Sequence, residues 1–192
     1  MFQQLIQSDK NLFRLINGKW HSAVMDTLMP QFRNAPFWMP LYLFLLLVVL
    51  INYKKTGWIW ALFFFAVAGI SDVISSHIIK TFIHRVRPCN AADMVDGLRV
   101  LVNYRPQSYS FTSSHAFTHF AMATFFYLTL KNYFGRWMLL AFAWAFLISY
   151  AQVYVGVHFP LDIAGGALIG ILVGYLSGKL FNTQFGLQDR SA

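Results

Sequence analysis

Glutamate is absent from this 192-residue chain, and cysteine occurs once, as Cys89. Charged residues of every kind make up only 11% of it, against roughly 25% in soluble globular proteins. The lone cysteine excludes an intrachain disulfide, so no disulfide framework holds the fold together. The seven acidic residues are all aspartates and form no carboxylate cluster that would suit magnesium. No metal and no other cofactor is expected. Scarcity of charge excludes a surface bathed wholly in water, so lipid is expected around much of the chain. Internal repeats and low-complexity tracts are also missing. The first residues carry Asp9 and several glutamines before any long apolar run, so no cleaved signal peptide is expected.

What is present is apolar, aromatic and basic. Hydrophobic residues make up 57% and aromatics 18%, and fifteen Lys and Arg face the seven Asp for a net charge of +8. That balance favours an anionic partner: nucleic acid, anionic lipid or a phosphorylated substrate. Membrane character makes nucleic acid the weakest of these, and none is expected. Spanning a bilayer takes about 20 mostly apolar residues. Pro36–Asn52, Trp58–Lys80, Ala116–Leu130, Trp137–Tyr154 and Leu161–Phe181 approach this, the last being rich in glycine and small residues that let helices approach closely. In residues 1–35, Phe2, Leu5, Ile6, Phe13 and Ile16 recur at helical spacing among polar residues. This predicts an amphipathic helix on the membrane surface, with a second short helix from Ser22 to Met29. The expected fold is all-α: a polytopic membrane helix bundle of about five transmembrane helices behind N-terminal interfacial helices. Residues 1–35 form the interfacial segment and residues 36–192 the transmembrane domain.

The connections predict orientation. Lys54-Lys55, Lys131 to Arg136, and Lys179 with Arg190 share one side in a five-span reading, and the positive-inside rule makes that side cytoplasmic. The longest polar loop, Thr81–Thr112, then lies outside, yet it carries Arg85, Arg87, Arg99 and Arg105. An anion-binding role for those arginines reconciles the two.

Three clusters fall at the outer ends of the predicted spans. If the stretch is helical, Lys80 and Arg87, seven residues apart, lie two turns apart on one face, and two fixed cations suit phosphate oxygens. The plain structural reading is snorkelling cations at a membrane interface. Ser110-Phe111-Thr112-Ser113-Ser114-His115 precedes an apolar run. Thr112 or Ser113 suits an N-cap, the first-turn N–H groups suit an anion, and His115 suits a proton donor. The plain reading is a capped helix with a bystander histidine. In the third cluster Asp162 lies four residues beyond His158. A carboxylate on one ring nitrogen fixes the tautomer and makes the other nitrogen a better nucleophile. Its plain reading is an aspartate complementing a helix N-terminus. Three plain readings sharing one membrane face would be a coincidence. Together the clusters hold the parts of a phosphoryl-transfer site.

The clusters resemble the three signature motifs of the type 2 phosphatidic acid phosphatase and vanadium haloperoxidase superfamily. Lys80, six residues, then Arg87-Pro88 matches the first motif fully. Thr112-Ser113-Ser114-His115 is similar to the second, Pro-Ser-Gly-His, keeping its Ser and His. His158 and Asp162 match the spacing of the third, whose opening Ser-Arg is here Ala151-Gln152. The resemblance covers about Ser71 to Gly170. It implies that His158 attacks phosphorus and forms a phosphohistidine, that Asp162 orients it, and that His115 protonates the leaving oxygen. Lys80, Arg87 and the backbone near Ser113 and Ser114 hold the phosphate, without a divalent metal. Gln152 departs from the family's arginine, a third cation on the phosphate. Either the site is weaker or Arg85, Arg99 or Arg105 substitutes. The function implied is a lipid phosphatase in a bacterial inner membrane, its site facing the periplasm or exterior. Its substrate is a phosphomonoester or pyrophosphate of the phosphatidate, phosphatidylglycerophosphate, undecaprenyl pyrophosphate or lipid A type. The alternatives are a non-catalytic anion-binding membrane protein and, against the predicted spans, a vanadate-dependent haloperoxidase.

Overall fold

The computed structural model describes residues 1–94 and 96–187, all of whose regular elements are helical. Arg190, one of the charges used above for orientation, lies outside the described residues. Helix α1 is Phe2–Arg14 and α2 is Ala23–Phe32, capped by the Ser22 side chain, which accepts from Met25 N at 3.3 Å. Helix α3, Ala35–Val73, opens on Pro36 and runs on through a π-helical turn, Ile74–Ile79, into the short α4, Lys80–Phe82. Then come α5 (Ser114–Phe134), α6 (Leu140–Tyr154) and α7 (Pro160–Gln184).

The two predicted spans Pro36–Asn52 and Trp58–Lys80 are joined in α3, but the chain reverses between them. Lys54 leaves helical geometry at φ 45, and the Tyr42 and Phe64 rings meet at 6.4 Å. A straight helix would hold them about 33 Å apart at 1.5 Å per residue. Gly57 closes the reversal: a Cβ there would sit 2.8 Å from the Val49 carbonyl oxygen. Gly135 makes the second reversal, between α5 and α6, where Tyr127 meets Phe142 at 5.9 Å. Five apolar segments result, with the basic turns at Lys54 and at Lys131–Arg136 on one end of the bundle. There the Tyr53 and Tyr133 rings lie 5.1 Å apart.

The centre of the bundle is the contact of α5 with α7. Gly166, Gly170 and Gly174 form a stripe on which a Cβ would lie 2.2–2.8 Å from carbonyl oxygens of Ser113, Phe117 and Ala121. Backbones this close register the start of α5 against the start of α7, which sets the second cluster beside the third. Trp60, Phe64, Phe125 and Phe126 stack around this contact. The outward faces of α3, α6 and α7 expose Phe44, Leu47, Leu62, Phe65, Phe146, Leu168 and Leu176, the apolar belt of an integral membrane protein.

Helices α1 and α2 expose Phe2, Leu5, Val24 and Leu28 but are also tied to the loop end of the bundle. Asn17 is 1% exposed and donates to both the Arg99 and Tyr154 carbonyls at 2.7 Å. Asp9, also buried, accepts from Leu161 N at 2.9 Å. These polar stitches fix the loop between α4 and α5 over the ends of α6 and α7.

Candidate active site

The loop end encloses a polar cavity of about 250 Å³. Lys80, Arg87, Ser114, His115, Gln152 and His158 line it, so six of the residues singled out from sequence converge there. Asp162 lies behind His158, and Ser113 is fully buried beside the cavity wall. Arg33, Asp72, Tyr104, Pro106 and Ser108 complete the lining, and Arg33, Tyr104 and Ser108 carry no local motif.

His158 sits on the turn between α6 and α7. Gly156 in that turn has φ 89, and a Cβ on it would strike the Arg99 carbonyl oxygen at 2.4 Å. The ring is 2% exposed. Its Nε2 lies 2.9 Å from an Arg87 guanidinium nitrogen, and its Nδ1 faces Asp162 Oδ2 at 3.5 Å. Arginine can only donate, so Nε2 presents a lone pair and the ring proton sits on Nδ1, towards the carboxylate. That is the tautomer an Nε2 nucleophile requires. Burial, aided by the neighbouring Arg87 charge, pushes the imidazole down to about 4, so it is neutral at pH 7.

Asp162 is held from several directions. Arg85 donates to Oδ1 at 2.7 Å, while Phe159 N, at 2.8 Å, and the Ser110 hydroxyl donate to Oδ2. Ser110 also approaches His158 Nδ1 at 3.4 Å. Arg85 pairs simultaneously with the Asp9 carboxylate of α1. Burial raises that carboxyl above its usual range, against the pull of Arg85 and Leu161 N.

Arg87 is fixed by the Ser108 carbonyl at 2.7 Å, the Ser108 hydroxyl at 2.9 Å and the Val157 carbonyl at 3.1 Å. Lys80 donates to Ser114 Oγ at 2.9 Å. Of the two N-cap candidates it is Ser113 that caps α5, accepting from Ala116 N at 3.4 Å. Its own N–H donates to the Asp162 carbonyl at 3.2 Å, so Ser113 locks α5 to α7 and its N–H is spent inside the fold. Asp72, half a span earlier, also reaches the cavity and accepts from Ser76 at 3.2 Å. Among the described residues no three His, Cys, Asp or Glu side chains are grouped to hold a metal ion.

The arginines weighed as substitutes for a third cation are otherwise engaged. Arg85 serves Asp9 and Asp162, Arg99 pairs with Asp26, and Arg105 is exposed and does not line the cavity. The cation beside Gln152 is instead Arg33, at the end of α2. Its Nε donates to Gln152 Oε1 at 3.3 Å across 119 residues of sequence.

A second cavity of about 720 Å³ lies along the bundle between the arms of α3 and helix α5. Its lining is apolar, with Met39, Leu43, Leu46, Phe65 and Met122 prominent, and His119 and Tyr42 at one side. His119 is one turn beyond His115, the two rings stacking at 6.2 Å. The His119 Nδ1 donates to the His115 carbonyl at 2.7 Å, which leaves Nε2 to accept from the Tyr42 hydroxyl at 3.1 Å. The histidine pair thus stands between a basic, phosphate-sized cavity and a long apolar one.

These features define a helical membrane protein with a basic polar cavity beside a buried, hydrogen-bonded imidazole. The family model of the PAP2 superfamily matches residues 57–185. A lipid A 4'-phosphatase of Bacteroides thetaiotaomicron is 30% identical over 179 residues, covering 92% of this chain and 78% of that protein. An undecaprenyl-diphosphatase of Sulfolobus acidocaldarius is 30% identical over 185 residues, covering 94% and 82%. LpxE of Aquifex aeolicus has a solved structure that aligns with TM-score 0.62 at 30% identity, over 88% of this chain and 93% of that one. The chain belongs to the PAP2 superfamily and is a membrane-embedded phosphoric monoester or pyrophosphate hydrolase.

Proposed function

We propose that the enzyme removes phosphate from a membrane lipid by way of a phosphohistidine on His158. The lipid's phosphate enters the basic cavity, with Lys80, Arg87 and Ser114 on its oxygens. His158 Nε2 attacks phosphorus as the bond to the leaving oxygen breaks, and His115 gives that oxygen its proton. Asp162 holds the ring proton on Nδ1 and stabilises the positive charge that develops on the imidazole. A water molecule then attacks the phosphohistidine, passing its proton to His115, and inorganic phosphate leaves. No step requires a metal ion.

The observation that carries this reading is the junction of the two cavities at His115 and His119. A phosphate group fits one and lipid chains fit the other. A phosphomonoester of the lipid A type and a polyprenyl pyrophosphate both meet that description, as do phosphatidate and phosphatidylglycerophosphate. The lipid A and undecaprenyl types gain support from the substrates in the names of the two relatives above. Helices α1 and α2 lie in the bilayer interface, and the site opens to the periplasmic or outer side of a bacterial inner membrane. The basic turns at Lys54 and Lys131–Arg136, at the opposite end, support that orientation.

The test is phosphate release by detergent-purified protein from a panel of these four lipids in EDTA, alongside a short-chain water-soluble phosphate ester. Turnover of a lipid well above the soluble ester supports the reading. Preference for the soluble ester, or turnover only after magnesium is added, contradicts it.

A further inference from the structure

We infer that Arg33 and Gln152 together form an oxyanion-binding unit in which Arg33, delivered from the N-terminal segment, supplies a third cation to the phosphate. This rests on the phosphate site proposed above. Arg33 is 7% exposed and lines the same cavity as Lys80, Arg87 and His158. Its hydrogen-bond partners are neutral: Gln152 Oε1 through Nε, and the Tyr104 hydroxyl at 3.3 Å through a terminal nitrogen. The Tyr104 ring lies 5.8 Å from the guanidinium carbon. The ion pairs among the described residues use Lys10, Arg85, Arg99 and His158, and none of them includes Arg33. A cation buried without a counter-ion is costly, and an anion entering the cavity removes the cost.

Gln152 supplies the second, independent observation. Its side chain is fully buried at the cavity wall, and its Nε2 has no hydrogen-bond partner. The amide cannot be turned around to repair this. Arg33 Nε is only a donor, so the amide oxygen must face it and the amide nitrogen must face away. A buried amide N–H pair left open beside three cations is completed by an acceptor, and a phosphate oxygen is one. One residue therefore does two jobs: its oxygen sets the guanidinium, and its nitrogen reaches the ligand. Arg33 lies outside the stretch matched by the family model, residues 57–185, so the N-terminal segment becomes part of the site.

The arrangement predicts a reversal of sign. An arginine at position 152 would project into the space the Arg33 guanidinium occupies. In the wild-type background Gln152→Arg brings two cations together and removes the oxygen that holds Arg33, so oxyanion binding weakens. In an Arg33→Met background the same change returns a cation to a vacant place, so binding recovers. The experiment is titration of purified protein with orthovanadate by calorimetry, which needs no turnover, on wild type, Arg33→Met, Arg33→Lys, Gln152→Arg and the double variant. Arg33→Met should weaken binding about 10- to 100-fold, the range for losing a charged hydrogen bond. Arg33→Lys should weaken it less. The double variant should bind more tightly than Arg33→Met alone. Thermal melting of each variant identifies any loss of fold, and Arg33→Lys, which keeps the charge, serves if Arg33→Met is unstable. Binding unchanged by both Arg33 variants but abolished by His158→Ala overturns this inference and leaves the proposed function standing. Failure of the wild type to bind vanadate overturns both.

Discussion

The buried and half-buried cations at the loop end fall into two sets. Arg85 and Arg99 each hold an aspartate, Arg85 two of them. Lys80, Arg87 and Arg33 are less exposed, at 7%, 5% and 7%, and have only neutral or imidazole partners. Burial alone would argue that the second set needs counter-ions more. The carboxylates instead go to the first set: Asp9 and Asp162 to Arg85, Asp26 to Arg99. A cation satisfied by its own protein has little left for a ligand, whereas an unsatisfied one holds the cavity positive until an anion arrives. The difference separates residues that build the site from residues proposed to bind the phosphate.

The largest effect should come from the group both sets serve. His158→Ala should reduce phosphate release at least about a thousandfold, within the range seen when a nucleophile is removed. A loss under tenfold would show that another group attacks. Next, the sets should separate activity from stability. Lys80→Met should lower kcat/KM about 100- to 1,000-fold, the scale for losing one preorganised charge-stabilising group, while leaving the melting temperature unchanged or higher. Arg85→Met should cost about 3–5 kcal/mol of stability, because Asp9 and Asp162 stay buried without their cation, with activity falling as Asp162 loses its hold. If Lys80→Met unfolds the protein and Arg85→Met does not, the division fails. The smallest effect belongs to Arg99→Met, whose partner Asp26 is part-exposed. Its kcat/KM should stay within about threefold of wild type.

Acid sharpens the same comparison. His158 is held down to about 4 by burial and by Arg87. Its nucleophilic lone pair is therefore present at pH 6 and lost as pH falls through about 4. The sign for stability follows from linkage: below the ordinary 6.5 the unfolded chain takes up this proton first, so stability falls from there down to the folded value. Titration of ¹⁵N-labelled histidine by NMR should give His158 a midpoint near 4, and a midpoint above 6 would contradict the buried, neutral imidazole.

Much of this was legible in the sequence, and the limit is physical. Lys80, Arg87, His115, His158 and Asp162 were legible as motif residues near the ends of apolar runs, but the two-turn helical face expected for Lys80 and Arg87 does not form: helix α4 ends at Phe82, and Arg87 reaches the cavity from extended backbone. The apolar runs gave the bundle, and the glycines of Leu161–Phe181 gave the close contact that aligns α5 with α7. The two expected spans Pro36–Asn52 and Trp58–Lys80 remain two arms, with the chain reversing between them at Lys54. Arg33 could not be found this way. Its contact with Gln152 crosses 119 residues and belongs to no period or motif. The loop arginines were legible as anion ligands, but the anions of Arg85 and Arg99 are internal. A charge count along the loop cannot see Asp9 and Asp26 brought back by α1 and α2, and the N-terminal segment also carries Arg33 to the cavity.

The most direct test of the account is to trap the intermediate. Protein mixed with ³²P-labelled lipid phosphate in EDTA, quenched in alkali within one turnover and digested, should yield a single labelled peptide containing His158. The label should be stable to base and lost in acid, as a phosphoramidate is, and absent from His158→Ala. Label on His115 or on an aspartate, or turnover without any labelled protein, would contradict the assignment of His158 as the group that takes the phosphate.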